Sequence, residues 1–306
     1  MLKGLMGAVS GVYAAAITPR REGPGIDLAG VFDLLDFLGR GGVDGIALMG
    51  STGEFLHFPV IERCRLISLA VRRSRVPILA GVSHSTYDGA LSLAREAALA
   101  GAAGVLLMPP YFFAYAQEDV RHFYVQFAEA LKGTIPIYLY NIPSYTTGIS
   151  APLAGELLST GLFAGIKDST KSWEDFEALR EVRERCPFTL MAGQDVLYAR
   201  ARLAGADGVI SGIASAIPEL HVALDRALVA GQAERAAALD RRLQEFVAWV
   251  GEFPAPVAIR EAAAVRGIRP GPPAAPPSPS ARRKLDEFGE WFRGWLPQML
   301  KECGVT

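Results

Sequence analysis

The chain has 306 residues, half of them hydrophobic, and its 31 basic and 32 acidic residues leave a net charge of −1. That length can bury a barrel-sized core, and the even charge argues against nucleic acid or an anionic membrane as the main partner. Three distant cysteines (Cys64, Cys186, Cys303) and four scattered histidines (His57, His84, His122, His221) form no metal or redox spacing, which predicts no metal centre and a reducing, cytoplasmic setting.

At the N-terminus, Lys3 and the apolar run from Leu5 to Ile17 loosely imitate an export signal, but Gly4, Gly7 and Gly11 interrupt it. The run reads better as a first strand over 11–18, ending before Pro19. No stretch reaches the ~18 uninterrupted apolar residues that a membrane span needs. A helix follows over 28–39, with Val31, Leu34, Leu35 and Leu38 at helical spacing, Asp27 as N-cap and Gly41-Gly42 as the stop. The second strand, 45–49, runs into Gly50-Ser51-Thr52-Gly53-Glu54, and a helix over 59–73 carries Pro59 in its first turn. Strands at 77–82 and 104–108 lead into helices at 86–100 and 118–131, the second after Pro109-Pro110-Tyr111-Phe112. The strand at 136–140 ends in Asn141-Ile142-Pro143. The strand at 163–167 ends on Lys167 and precedes a helix at 173–185. Strands at 188–192 and 208–211 end in Gly193-Gln194-Asp195 and Gly212-Ile213-Ala214-Ser215.

Eight short apolar strands alternating with helices predict an α/β protein with a closed (β/α)8, or TIM, barrel. The strands are near-continuous Val/Ile/Leu runs, as burial on both faces requires. An open doubly wound sheet is the other arrangement of such units, but no Gly-x-Gly-x-x-Gly opens an early helix. The barrel is assigned to 1–225 and a C-terminal helical extension to 226–306, with helices at 233–249, 256–266 and 281–296. The proline-rich stretch 269–280 is an extended connector between two of them. Leu285, Phe288, Trp291, Phe292 and Trp295 give the last helix an apolar stripe with which to dock.

Barrel enzymes place their chemistry at the C-terminal strand ends. Those ends deliver Ser51, Thr52, Tyr111, Tyr140, Lys167 and Gly193 to one rim. Taken alone, a strand-end lysine simply reaches solvent. Among two phenols and two hydroxyls it suits carbonyl chemistry with an amine nucleophile. An amine attacks a carbonyl only when neutral; at the ordinary lysine pKa of ~10.4 few molecules are neutral at pH 7, and burial is a sufficient cause to change that. Asp168 follows directly, but adjacent strand residues face opposite sides, so it does not pair with Lys167. Tyr140 is the candidate to carry a proton. The Gly50–Gly53 turn offers hydroxyls and backbone N–H groups to a carboxylate.

Three stretches, Gly50-Ser51-Thr52-Gly53-Glu54, Tyr140-Asn141-Ile142-Pro143 and Gly165-Ile166-Lys167-Asp168, resemble the signatures of the dihydrodipicolinate synthase/N-acetylneuraminate lyase family. The resemblance implies a Schiff-base lyase or aldolase that acts on pyruvate and an aldehyde, needs no metal or other cofactor, and assembles as a homo-oligomer, a tetramer or a dimer. Lys167 takes the role of imine lysine and Tyr140 that of proton carrier. Ser51 and Thr52 hold the carboxylate, Ile210 adds backbone contacts, and Tyr111, Tyr145 and Gly193 complete the candidate substrate-binding set. Two departures stand out. Tyr145 occupies the position where the biosynthetic synthases carry an arginine for the aldehyde's carboxylate, and a tyrosine gives no bidentate, charged contact. Where those synthases have a Tyr-Tyr pair, this chain has Tyr111-Phe112. Both count against aspartate semialdehyde as acceptor and favour cleavage of a 2-keto-3-deoxy sugar acid. The synthase reaction, a dehydratase or hydratase-aldolase on the same imine, and a non-catalytic 2-oxo-acid binder are the alternatives.

Overall fold

The computed structural model describes residues 9–305; Lys3, Gly4, Leu5 and Gly7 of the N-terminal run lie outside them. In chain order the elements are β1 (Gly11–Ala15), α1 (Leu28–Arg40), β2 (Gly45–Leu48), α2 (Val60–Arg73), β3 (Ile78–Gly81), α3 (Tyr87–Ala100), β4 (Gly104–Leu107), α4 (Gln117–Leu131), β5 (Ile137–Asn141) and α5 (Ala151–Ser159). They continue with β6 (Gly165–Asp168), α6 (Trp173–Arg185), β7 (Thr189–Ala192), α7 (Tyr198–Leu203), β8 (Gly208–Ser211), α8 (Pro218–Val229), α9 (Ala233–Val250), α10 (Val257–Val265) and α11 (Pro279–Cys303). The strands close in sequence order, each parallel to its neighbours, and β8 returns to β1 with Tyr13 opposite Ile210. This is the expected (β/α)8 barrel. Every strand residue is buried, which is why the strands read as unbroken apolar runs rather than alternating ones. Among the described residues no helix is long and apolar enough to cross a membrane.

Several boundaries differ from the sequence reading for local reasons. The strand expected over 11–18 stops at Ala15, because Ile17 N–H turns from the ladder to the Ser215 hydroxyl (3.1 Å). Pro59 is the N-cap of α2 rather than a first-turn residue. The last helix, expected over 281–296, begins at Pro279 and ends at Cys303. It starts earlier because the Ser278 hydroxyl caps Ala281 N–H (3.2 Å) and a proline at the first helical position has no N–H to leave unpaired. It passes Pro297 because Met299 is buried beyond it and Arg242 grips Glu302 through two 2.8 Å bonds.

The apolar stripe of α11 docks as expected. Phe288, Trp291, Phe292 and Trp295 all pack against Phe246 of α9, with ring centroids 5.5–6.3 Å away. Trp295 also donates its indole N–H to Glu245 (2.6 Å). The connector before α11 is irregular and proline-rich, as its composition requires.

Candidate active site

Lys167 is the third residue of β6 and lies directly across from Tyr140 of β5 in the ladder. Residues paired in register project to the same face of the sheet. Lys167 is 5% exposed, and its Nζ lies 4.1 Å from the centroid of the Tyr140 ring. The Tyr140 hydroxyl shares a 2.9 Å hydrogen bond with the Ser51 hydroxyl. Ser51 is delivered from β2 by a sharp turn in which Met49 takes the left-handed conformation, φ 55°. Lys167, Tyr140 and Ser51 therefore converge from three strand ends. Among the described residues no carboxylate lies within ion-pair distance of Lys167. Asp168 turns away to accept bonds from Asn141 Nδ2 (2.9 Å) and the Thr170 hydroxyl (2.6 Å).

Two glycines make room around this group. A Cβ on Gly193 would lie 3.1 Å from Lys167 Cε and 2.8 Å from the Asp168 carbonyl, as well as against the Ser169 hydroxyl. A Cβ on Gly212, just past β8, would lie 2.6 Å from Thr52 Oγ1, so Thr52 rests on the end of the eighth strand. Ile210 is buried inside β8, two strands from Lys167.

The remaining predicted residues stay at the rim. Tyr111 is half-buried, bridges to Thr146 and packs edge-on against Phe55 at 5.7 Å. Behind it Arg63 is buried over the Phe55 ring (4.8 Å) and donates to the carbonyls of Gly81 (3.1 Å) and Ser83 (3.0 Å); burial lowers its guanidinium to about 10. Tyr145 is 57% exposed, and its hydroxyl has no hydrogen bond among the described residues. Phe112 is 88% exposed in a left-handed conformation, φ 84°.

Sequence reasoning passed over Asn141. Its amide accepts from Ile149 N–H (2.9 Å), donates to Ile149 O (3.2 Å) and reaches Asp168, stapling the loop that carries Tyr145 to strands β5 and β6. The available signal was a polar amide at the end of an apolar strand, a placement that demands partners. Burial pushes the Asp168 carboxyl up, against the lowering effect of Thr170 and Asn141. The folded chain thus holds this proton more tightly than the unfolded chain. The resulting stability is present below the unfolded value and lost as pH rises through the folded one. Relative to wild type, Asp168→Asn should therefore gain melting temperature as pH rises through that window; a difference that stays flat with pH counts against the assignment.

Comparison with known proteins gives a consistent picture. The model of the dihydrodipicolinate synthetase family matches residues 8–291. A 4-hydroxy-tetrahydrodipicolinate synthase from Azoarcus sp. is 33% identical over 240 residues, 77% of this chain and 80% of that protein. The fold superposes on a pyruvate complex of a prophage protein of the dihydrodipicolinic acid synthase family from E. coli, with a TM-score of 0.85, 26% identity and coverage of 93% and 98% of the two chains. It also superposes on the 2-keto 3-deoxygluconate aldolase of Picrophilus torridus, with a TM-score of 0.81, 26% identity and coverage of 87% and 96%. With a family model that spans nearly the whole sequence, a barrel that matches member structures and curated relatives at one-third identity, the chain belongs to the dihydrodipicolinate synthetase family.

Proposed function

We propose that this protein is a class I lyase that breaks or forms a carbon–carbon bond to pyruvate through an imine on Lys167. One observation carries the reading: a buried amine without an ion-pair partner faces a phenol, and that phenol is bonded to a second hydroxyl. With no carboxylate among the described residues to hold it, the amine is placed to add to a carbonyl carbon brought to the same rim. The lysine nitrogen adds to C2 of a 2-oxo-4-hydroxy acid, and water leaves to give the imine. Protonated, the imine draws in the electrons of the C3–C4 bond. As that bond breaks, the Tyr140 oxygen takes the 4-hydroxyl proton while its own proton moves to Ser51 and the Ser51 proton moves on to water, which returns one proton for C3 of the enamine. An aldehyde departs, and the enamine gains a proton at C3 and is hydrolysed to pyruvate. Ser51 and Thr52 hold the carboxylate through hydroxyls and turn N–H groups. Gly193 leaves space beside the lysine, Ile210 contributes main-chain contacts, and Tyr111 and Tyr145 face the aldehyde portion.

The pyruvate-bound relative supports pyruvate as the 2-oxo acid, and the 2-keto 3-deoxygluconate aldolase supports a sugar-acid substrate. Tyr145 supports it too, since it offers an uncharged hydroxyl to the acceptor. A second reading, the synthase reaction, is favoured by the name of the 33%-identical relative. Incubation with pyruvate and borohydride should add one reduced pyruvate per chain at Lys167. Labelling that persists in Lys167→Ala, or no mass gain in wild type, sinks the imine. Among imine chemistries, pyruvate release from a panel of 2-keto-3-deoxy sugar acids supports the aldolase, whereas loss of water without pyruvate means a dehydratase. Condensation with aspartate semialdehyde that improves in Tyr145→Arg supports the synthase. Pyruvate-stabilised melting with no turnover on any of these substrates leaves a binding protein.

A further inference from the structure

Arg260 sits on the buried face of α10 among Ala258, Ile259, Ala262 and Ala263, an apolar setting in which a guanidinium must find acceptors. It finds them in three separate segments. Nη1 donates to the Thr18 carbonyl (3.0 Å), just past β1, and to Glu54 Oε2 (2.9 Å). Nη2 donates to the carbonyls of Pro270, Gly271 (3.3 Å) and Pro272 (3.2 Å) in the connector.

Glu54 closes the Gly50–Gly53 turn, and it is a non-glycine residue held in the left-handed conformation, φ 51°. Thr18, another partner of Arg260, also donates its hydroxyl to Gly53 O (2.7 Å). The turn therefore hangs from Arg260 by two routes, through the Glu54 carboxylate and through Thr18. Besides Arg260, Glu54 meets Arg20 Nε at 3.9 Å and His57 Nδ1 at 3.5 Å, both longer than its 2.9 Å bond to Arg260. A cavity of about 730 Å³ opens there, bounded by Glu54, His57, Arg260 and the prolines of the connector. Polar anchors must hold what packing does not. On its inner side the turn has little freedom, because Ser51 meets Tyr140 at 2.9 Å and Thr52 rests on Gly212.

We propose that Arg260 is a positioning residue for the carboxylate-holding turn, so that the helical extension sets the affinity of the site for the 2-oxo acid. This rests on the reading that Ser51 and Thr52 hold the substrate carboxylate. Arg260 does not touch the substrate; it acts through Glu54 and Thr18.

The test is borohydride trapping on the full-length protein as a function of pyruvate concentration. Arg260→Met should raise the half-saturating pyruvate concentration about tenfold, with the trapped fraction at saturation unchanged. Glu54→Gln, which keeps the shape and removes the charge, should shift it in the same direction, and the double variant should be no worse than Arg260→Met. Arg260→Lys should recover part of the loss, because an ammonium satisfies Glu54 but cannot span all three segments. Arg266 supplies the control. It forms a comparably buried pair with Glu219 (2.6 Å) without reaching the turn, so Arg266→Met should lower the melting temperature and keep half-saturation within about twofold of wild type. If Arg260→Met does not fold, Glu54→Gln decides alone. Unshifted half-saturation in the folded variants, or an equal shift in Arg266→Met, overturns the inference while wild-type trapping stands. Absence of trapping in wild type overturns the imine reading, and this inference with it.

Discussion

Tyr140→Phe is expected to slow pyruvate release by about 10²–10⁴-fold, the range for loss of a positioned proton carrier. Borohydride should still label Lys167 in this variant. The two outcomes separate because the phenol's ring and its hydroxyl do different things. The ring lies 4.1 Å from Lys167 Nζ and is kept in phenylalanine, so the pocket around the amine keeps its shape. The hydroxyl bonded to Ser51 at 2.9 Å is lost, and with it the route by which the departing proton reaches a second oxygen. Steady-state release from a sugar-acid substrate, measured beside single-turnover trapping, checks both halves. Equal loss of trapping and release would reduce Tyr140 to a wall of the lysine pocket. Unchanged release would remove it from the reaction.

Gly193→Ala should lower turnover by about 10²-fold through misplacement of the amine, and cost about 1–3 kcal/mol of stability through overpacking. Its Cβ would meet the Asp168 carbonyl at 2.8 Å, and a backbone atom in a closed barrel does not yield as a side chain does. The softer neighbours are the Ser169 hydroxyl, nearest of all, and Lys167 Cε at 3.1 Å, so both side chains move. Gly39→Ala makes the contrast. A Cβ there meets nothing within 4 Å, and the residue lies inside α1, so it should gain up to about 1 kcal/mol without touching activity. Urea denaturation and pyruvate release on both variants test the pair. Wild-type turnover in Gly193→Ala would show that the lysine tolerates a shift of its β-carbon neighbour.

What was legible in the sequence was whatever depends on periodicity and order. The strand ends that carry Ser51, Tyr140 and Lys167 were found because a closed barrel maps the last residue of each apolar run onto one rim. The contacts made by loops were not legible in this way. Tyr145 follows the Tyr140-Asn141-Ile142-Pro143 stretch, yet the loop leaves it exposed at the rim, because Asn141 fixes Ile149 and lets the intervening residues bulge outward. Arg260 was passed over because periodicity marks which face of a helix is buried, not that a charge on that face is there to gather carbonyls from distant segments. The end of α11 was misread for the opposite reason. Pro297 is a strong local stop signal, and the anchoring of Met299 and Glu302 overrides it.

The Arg260–Thr18 bond joins residues 242 positions apart. A chain made from its N-terminus exposes strands β1 and β2 long before α10 exists, so the Gly50–Gly53 turn, bonded to Thr18, waits for its Arg260 anchor through most of synthesis. Contacts of such long sequence separation are slow to form, because loop-closure entropy must be overcome first. A nascent barrel can therefore close β8 onto β1 before the turn receives its anchor, and the site matures last. A pulse-labelled chain should gain protease resistance in the barrel before it gains the capacity to be trapped with pyruvate.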